Sequence, residues 1–163
     1  MKPLRFMAFV AAATAPLVIA MPGAATASDR TSSISSAAHR YLVDSAPVGT
    51  VSAAFQSTVL SWMGNPNVTG PEAEAAARPL ISALVTFQDK LETQTWPPGA
   101  RDDVRALASA FNGLLGDLRA LAHDDIADTS SWEGPFLSED VTTTAATNKV
   151  RHDLGLPPLS ASF

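Results

Sequence analysis

The stretch VRALASAFNGLLGDLRAL, residues 104–121, decides the fold class. In it Val104, Leu107, Phe111, Leu114, Leu118 and Leu121 recur at alternating steps of three and four, while Arg105, Asp117 and Arg119 fall off that line. An apolar row with this period occupies one side of an α-helix. Upstream, Thr95 is a candidate cap, Pro97 and Pro98 suit a first turn, and Asp102 and Asp103 favour the positive end of the helix dipole. The spacing therefore predicts a helix from Pro97 to Ala122, about 39 Å long, as the spine of the domain.

Working outward, residues 123–137 form an acidic connection whose Gly134-Pro135 pair argues against a regular element. Ser138, followed by Glu139 and Asp140, opens a last helix that is expected to run to about Leu154, with Gly155 and Pro157-Pro158 as the stop. The run Thr142-Thr143-Thr144 weakens its intrinsic helix propensity. On the other side of the spine, Thr69 is placed to cap a helix with Pro71 in its first turn and a face made of Leu80, Leu84, Phe87 and Leu91. Pro79 falls inside that pattern and predicts a kinked or two-piece helix. Earlier still, Val51, Phe55, Thr58, Val59 and Trp62 share a helical face, Pro47 marks a first turn or a kink, and Gly64-Asn65-Pro66-Asn67 supplies the turn that ends it.

No stretch alternates with period two over enough residues to make a strand. Four amphipathic helices can bury their stripes only against one another, which predicts an all-α fold, an up-down bundle of about four helices. Trp62 and Trp96 are expected to meet at one end of it.

The first 27 residues read as a cleavable secretory signal: Lys2 and Arg5 are followed by an apolar run from Phe6 to Met21, then Pro22-Gly23 and the small residues Ala25-Thr26-Ala27. The run contains Pro16 and falls short of the ~20 residues a spanning helix needs, so no stable membrane insertion is expected after cleavage. Residues 28–36, rich in Ser and Thr, read as a flexible N-terminal arm, residues 37–158 as one helical-bundle domain, and residues 159–163 as a tail. Cleavage removes two cations and no acid, moving the net charge from −5 to −7. So acidic a chain lacks the Lys and Arg clusters through which nucleic acids and anionic lipid surfaces are bound. With no cysteine, neither disulfides nor a lipid on a cleavage-site cysteine are available, and the core alone must hold the fold.

Candidates for chemistry are sparse. Asp117, Asp124, Asp125, Asp128, Glu133, Glu139 and Asp140 crowd one region beside His123, but without the alternate oxygen-ligand spacing and turn glycine of a calcium loop. Zinc is disfavoured by the absence of cysteine and by three histidines, His39, His123 and His152, that stand far apart. No Gly-x-Ser-x-Gly elbow, Ser-x-x-Lys pair or glycine-rich phosphate loop occurs. These patterns assign no catalytic residue, no metal site and no cofactor. An apolar cavity between facing helices is the one binding arrangement the stripes suggest, lined by Phe55, Trp62, Leu84, Phe87, Phe111, Leu114 and Leu118.

Residues Tyr41 to Val48, Trp96-Pro97-Pro98 with Asp103-Val104-Arg105-Ala106-Leu107, and the closing Asn148-Lys149-Val150-Arg151 to Asp153-Leu154-Gly155-Leu156-Pro157-Pro158 carry a likeness. The chain resembles small exported proteins and lipoproteins of mycobacteria and related actinobacteria. It departs from the lipoprotein members in having no cysteine at the cleavage site. The resemblance implies a compartment, extracellular or cell envelope, and implies no catalytic residues. The expectation that follows is an exported, non-catalytic binding or interaction protein whose partner is an envelope protein, with a carrier of an apolar small molecule or lipid and an enzyme of unknown class as alternatives.

Overall fold

The computed structural model describes residues 25–62, 68–121 and 129–159, of which 25–30 and 129–138 enter as backbone only. Four helices follow one another: α1 (Ala25–Trp62), α2 (Gly70–Thr93), α3 (Arg101–Leu121) and α4 (Thr129–Asp153). Each packs on the next, α3 most extensively on α4, and the described residues contain no strand. The fold is an all-α helical bundle. The leader up to residue 24, the turn at Gly64-Asn65-Pro66-Asn67, His123 with Asp124, Asp125 and Asp128, and the tail beyond 159 lie outside the described residues.

The spine helix buries the whole predicted row: Val104, Leu107, Phe111, Leu114, Leu118 and Leu121, joined by Ala108 and Leu115. It begins at Arg101 and not at Pro97. A residue that precedes proline is pushed out of the α region, so Trp96 and Pro97, which precede Pro97 and Pro98, cannot open a helix. Instead the Ala100 N–H closes a turn on the Pro97 carbonyl at 2.9 Å, and the Val104 N–H makes the first helical bond to Ala100.

Helix α2 starts where the cap was expected. The Glu72 carboxylate accepts from the Thr69 N–H and from the Thr69 hydroxyl, both at 2.9 Å, which ties down the first turn. Pro79 does not divide α2 into two helices. The ring is exposed, so its cost is confined to the missing N–H bond and its clash with the preceding turn, while Ala77, Leu80, Leu84, Phe87 and Leu91 continue the buried row on either side. Pro47 lies inside α1 in the same manner.

Two segments expected to be irregular are helical. Residues 28–36, expected as a flexible arm, belong to α1. No glycine or proline stands between residues 24 and 46, and extending an existing helix costs far less than nucleating one. At the other end α4 begins at Thr129, so Ser138 is not its cap, and the helix passes through Gly134-Pro135. The fixed φ of proline suits a helical backbone and one missing N–H costs one bond, which a helix of 25 residues can absorb.

The two tryptophans expected to meet do not. Trp96 packs edge-on to Tyr41, centroids 6.4 Å apart, whereas Trp62 lies about 31 Å further along α1 from Tyr41 by helical rise. That Tyr41 end of the bundle is cross-tied by polar contacts: Arg40 Nη2 donates to the Thr95 carbonyl at 3.1 Å, Gln94 Nε2 to Asp44 Oδ2 at 2.6 Å, and Trp96 Nε1 to the Leu91 carbonyl at 2.8 Å.

Candidate functional site: the polar seam of the last helix

The buried row of α1, α2 and α3 is built almost wholly from apolar side chains, with Ser52 of α1 as the exception. Helix α4 is different. Among its described side chains, residues 139–153, the buried ones are Asp140, Thr143, Thr147, Val150 and Arg151, with Leu154 just beyond the helix, spaced by three and four so that they share one side. Between residues 139 and 153 the helix sets a carboxyl, two hydroxyls and a guanidinium into the bundle, beside a chief neighbour, α3, that offers an apolar face.

The Thr147 hydroxyl, on a residue 4% exposed, is partnered by the phenol of Tyr41. Thr143 is fully buried and its Oγ1 makes no hydrogen bond. A buried polar atom left so costs about 1–3 kcal/mol. Asp140 is 7% exposed, and burial pushes its carboxyl up to about 6, since desolvation penalises the ionised form. Beside it Glu139 rests its carboxylate against Gly113 of α3, where a Cβ would collide with it. Burial and the charge of Glu139 together raise Asp117.

Toward the end of α4 the chain folds back on itself. Gly155 has φ 69°, the left-handed conformation that glycine adopts at no steric cost. The Gly155 N–H bonds to the His152 carbonyl at 3.0 Å and the Leu156 N–H to the Arg151 carbonyl at 2.7 Å, which is the Schellman arrangement. The tail then returns along the last turn, where its Pro157 carbonyl accepts from Arg151 Nε at 2.6 Å and the Leu159 N–H donates to Asn148 Oδ1 at 2.7 Å. Arg151, 5% exposed, is held by that clip. Across from it stands Tyr41, 1% exposed, its phenol pushed up to about 12, chiefly by burial, against the smaller opposing effects of the Arg151 charge and a hydrogen bond with the Thr147 side chain. At the same end Asp103 is raised by burial, by a hydrogen bond with Asp153 and by its charge, with Lys149 opposing.

Six of the seven residues read from the sequence as a possible ligand lining, Phe55, Leu84, Phe87, Phe111, Leu114 and Leu118, lie in one core cluster, and Trp62 packs half-buried against it. Phe87 meets Phe111 at 5.7 Å between centroids and Tyr41 at 5.6 Å, distances typical of packed aromatic pairs. Of the two described histidines, His39 is exposed on α1, and His152 is exposed on α4 with its Nδ1 3.4 Å from Asp153 of its own helix. Among the described residues no three His, Asp or Glu side chains converge as metal ligands, and no helix is long and apolar enough to cross a membrane.

Tyr41, Thr143, Thr147 and Arg151 were not singled out from the sequence. A signal was present in the row Asp140, Thr143, Thr147, Arg151, whose steps of three, four and four match those of Val150 and Leu154. Reading only apolar residues for periodicity hides such a row. Comparison with protein-family models, with curated proteins and with solved structures returns no match to this chain.

Proposed function

We propose that this chain is an exported, non-catalytic binding protein of the cell envelope or extracellular space, and that its binding element is the polar seam of α4. The observation that carries this reading is the buried, unpartnered hydroxyl of Thr143, set with Asp140, Thr147 and Arg151 along the inward side of α4. Native interiors pair their polar groups, and a group left unpaired at a stability cost is accounted for when something else completes it. Export is supported by the leader-like composition of residues 1–27 and by the likeness to exported actinobacterial proteins.

The test is native mass spectrometry of the protein purified from its own host, followed by identification of whatever leaves on denaturation. A bound small molecule or a partner protein is the expected result. A turnover that vanishes when His39, His123 or His152 is replaced would sink the reading in favour of an enzyme.

A carrier of an apolar molecule is the second reading, favoured by the same seam. It is supported by the buried polar groups, one of them unpaired, that α4 sets beside the apolar face of α3, and in this version these two helices part to admit the ligand. Faster amide exchange in α4 than in α2, together with a co-purifying lipid, is the outcome this version expects. Uniform protection across all four helices counts against it.

A further inference from the structure

Asn112-Gly113 on α3 is the one Asn-Gly pair of the chain, and asparagine is among the thermolabile residue types. Its lability is intramolecular: the backbone nitrogen of the next residue attacks the side-chain amide carbon, and a following glycine, having no Cβ, hinders that attack least. The fold needs this glycine all the same. A Cβ at position 113 would collide with the Glu139 carboxylate that α4 lays against α3 there. Asn112 itself is exposed, so water reaches it.

The folded chain holds the two reacting atoms apart. Both residues lie in the middle of α3, where each Cα–Cβ bond tilts toward the helix N-terminus while the next backbone nitrogen lies on the C-terminal side, its N–H bound to the carbonyl four residues back. Gln88 of α2 fixes that direction. Its Nε2 donates to the Ala108 carbonyl at 2.9 Å and to Asn112 Oδ1 at 3.0 Å, so the Asn112 amide is tied one turn back along α3, away from Gly113. We propose that Asn112-Gly113 is a latent self-modification site, guarded by the α3 helix and the Gln88 tie, that converts to aspartate and isoaspartate only in molecules whose α3 has opened. In the open segment the Gly113 nitrogen bonds to Asn112 Cγ, the bond from Cγ to the amide nitrogen breaks, and ammonia leaves with the proton that Gly113 gives up. Water then adds to one or the other carbonyl of the five-membered imide and opens it to aspartate or to isoaspartate. Aspartate still accepts from Gln88 and fits the helix. Isoaspartate lengthens the main chain by one carbon, which breaks the ladder of bonds to the carbonyl four residues back, so α3 does not re-form through it. Opening of the spine helix is thereby recorded as a one-way covalent change.

The experiment incubates the chain beginning at Ser28 at pH 8 and 37 °C, with and without denaturing guanidinium chloride, and follows the peptide that carries residues 112 and 113 by chromatography and mass spectrometry, which separate aspartate from isoaspartate. Conversion is expected to be roughly a hundredfold or more slower in the folded protein than in denaturant, because it draws on the open fraction alone. Leu84→Ala truncates a buried side chain on α2 and leaves the sequence around Asn112 unchanged; it should raise the native rate roughly tenfold or more. Should that variant fold poorly, wild type in guanidinium chloride below its unfolding midpoint should show the rate climbing with denaturant. Gln88→Ala, which removes the tie and keeps the apolar row, should raise the native rate roughly threefold. Equal rates in folded and unfolded protein, or no conversion in either, overturn the site. Aspartate formed without isoaspartate marks direct hydrolysis and overturns it as well, and a Gln88→Ala rate equal to wild type overturns the guard.

Discussion

Asp140 should make this protein less stable at neutral pH than at pH 4, and Asp140→Asn should remove that loss. The carboxyl is raised from 3.8 in the unfolded chain to about 6 in the fold. Between these values the folded state holds more protons than the unfolded one, so stability falls as pH rises through this window and is flat above it. A shift of this size corresponds to about 3 kcal/mol, at 1.36 kcal/mol per unit. The amide of Asn cannot ionise and escapes that penalty, but buried without new partners it returns about 1 kcal/mol of it. We expect the variant to be about 2 kcal/mol more stable than wild type at pH 7, roughly 4–8 °C in melting temperature for a chain of this size. At pH 3.5, where the ionisation penalty is gone, wild type should be the more stable by about 1 kcal/mol. Urea unfolding followed by circular dichroism at half-unit steps from pH 3.5 to 8 measures both. Asp103 and Asp117 are raised too, and Glu72 is lowered by its bonds from the Thr69 N–H and hydroxyl, but they act equally in both proteins and cancel in the difference. A difference that stays constant with pH, or one that favours wild type above pH 6, refutes the burial of Asp140 as the cause.

Tyr41 is the sole tyrosine, so tyrosinate absorbance reports it alone. With the phenol pushed up to about 12, ionisation should be absent at pH 10.5 in the folded protein and present once urea is added; stability should fall as pH rises above 10, because the unfolded chain loses the proton first. Phe111→Ala, at the centre of the α2–α3 contact and fully buried, should cost about 3–5 kcal/mol in urea unfolding. Gly155→Ala forces a side chain into φ 69° and loosens the clip on Arg151; a loss of about 1 kcal/mol is expected, along with faster exchange of the Leu156 and Leu159 amides.

The architecture was legible wherever a helix is held by apolar burial. The rows through Val104, Leu107 and Phe111 and through Leu80, Leu84 and Phe87 are buried as their spacing requires, because removal of apolar area from water is large, non-directional and visible in the identities of the residues alone. Local stereochemistry was legible too where one residue decides it, as Thr69 with Glu72 does at the start of α2 and Gly155 at the end of α4. Punctuation misled where tertiary or helical continuity outweighs it. Gly134-Pro135 did not stop α4, since one lost backbone bond is small against the packing of a whole helix.

The candidate site was not legible, for a different reason. Thr143, Thr147 and Arg151 are residue types that ordinarily face water, and nothing in their order along the chain says that they turn inward. That is settled by the orientation α4 takes against α3 and by the return of the tail to Arg151. Residue identity alone therefore determined the helical class and the apolar stripes, because hydrophobicity is a property each residue carries with it. Only the tertiary structure decided that Tyr41 on α1 faces Thr147 and Arg151 on α4, because hydrogen-bonding environment and desolvation belong to pairs of groups brought together by folding and to neither group by itself.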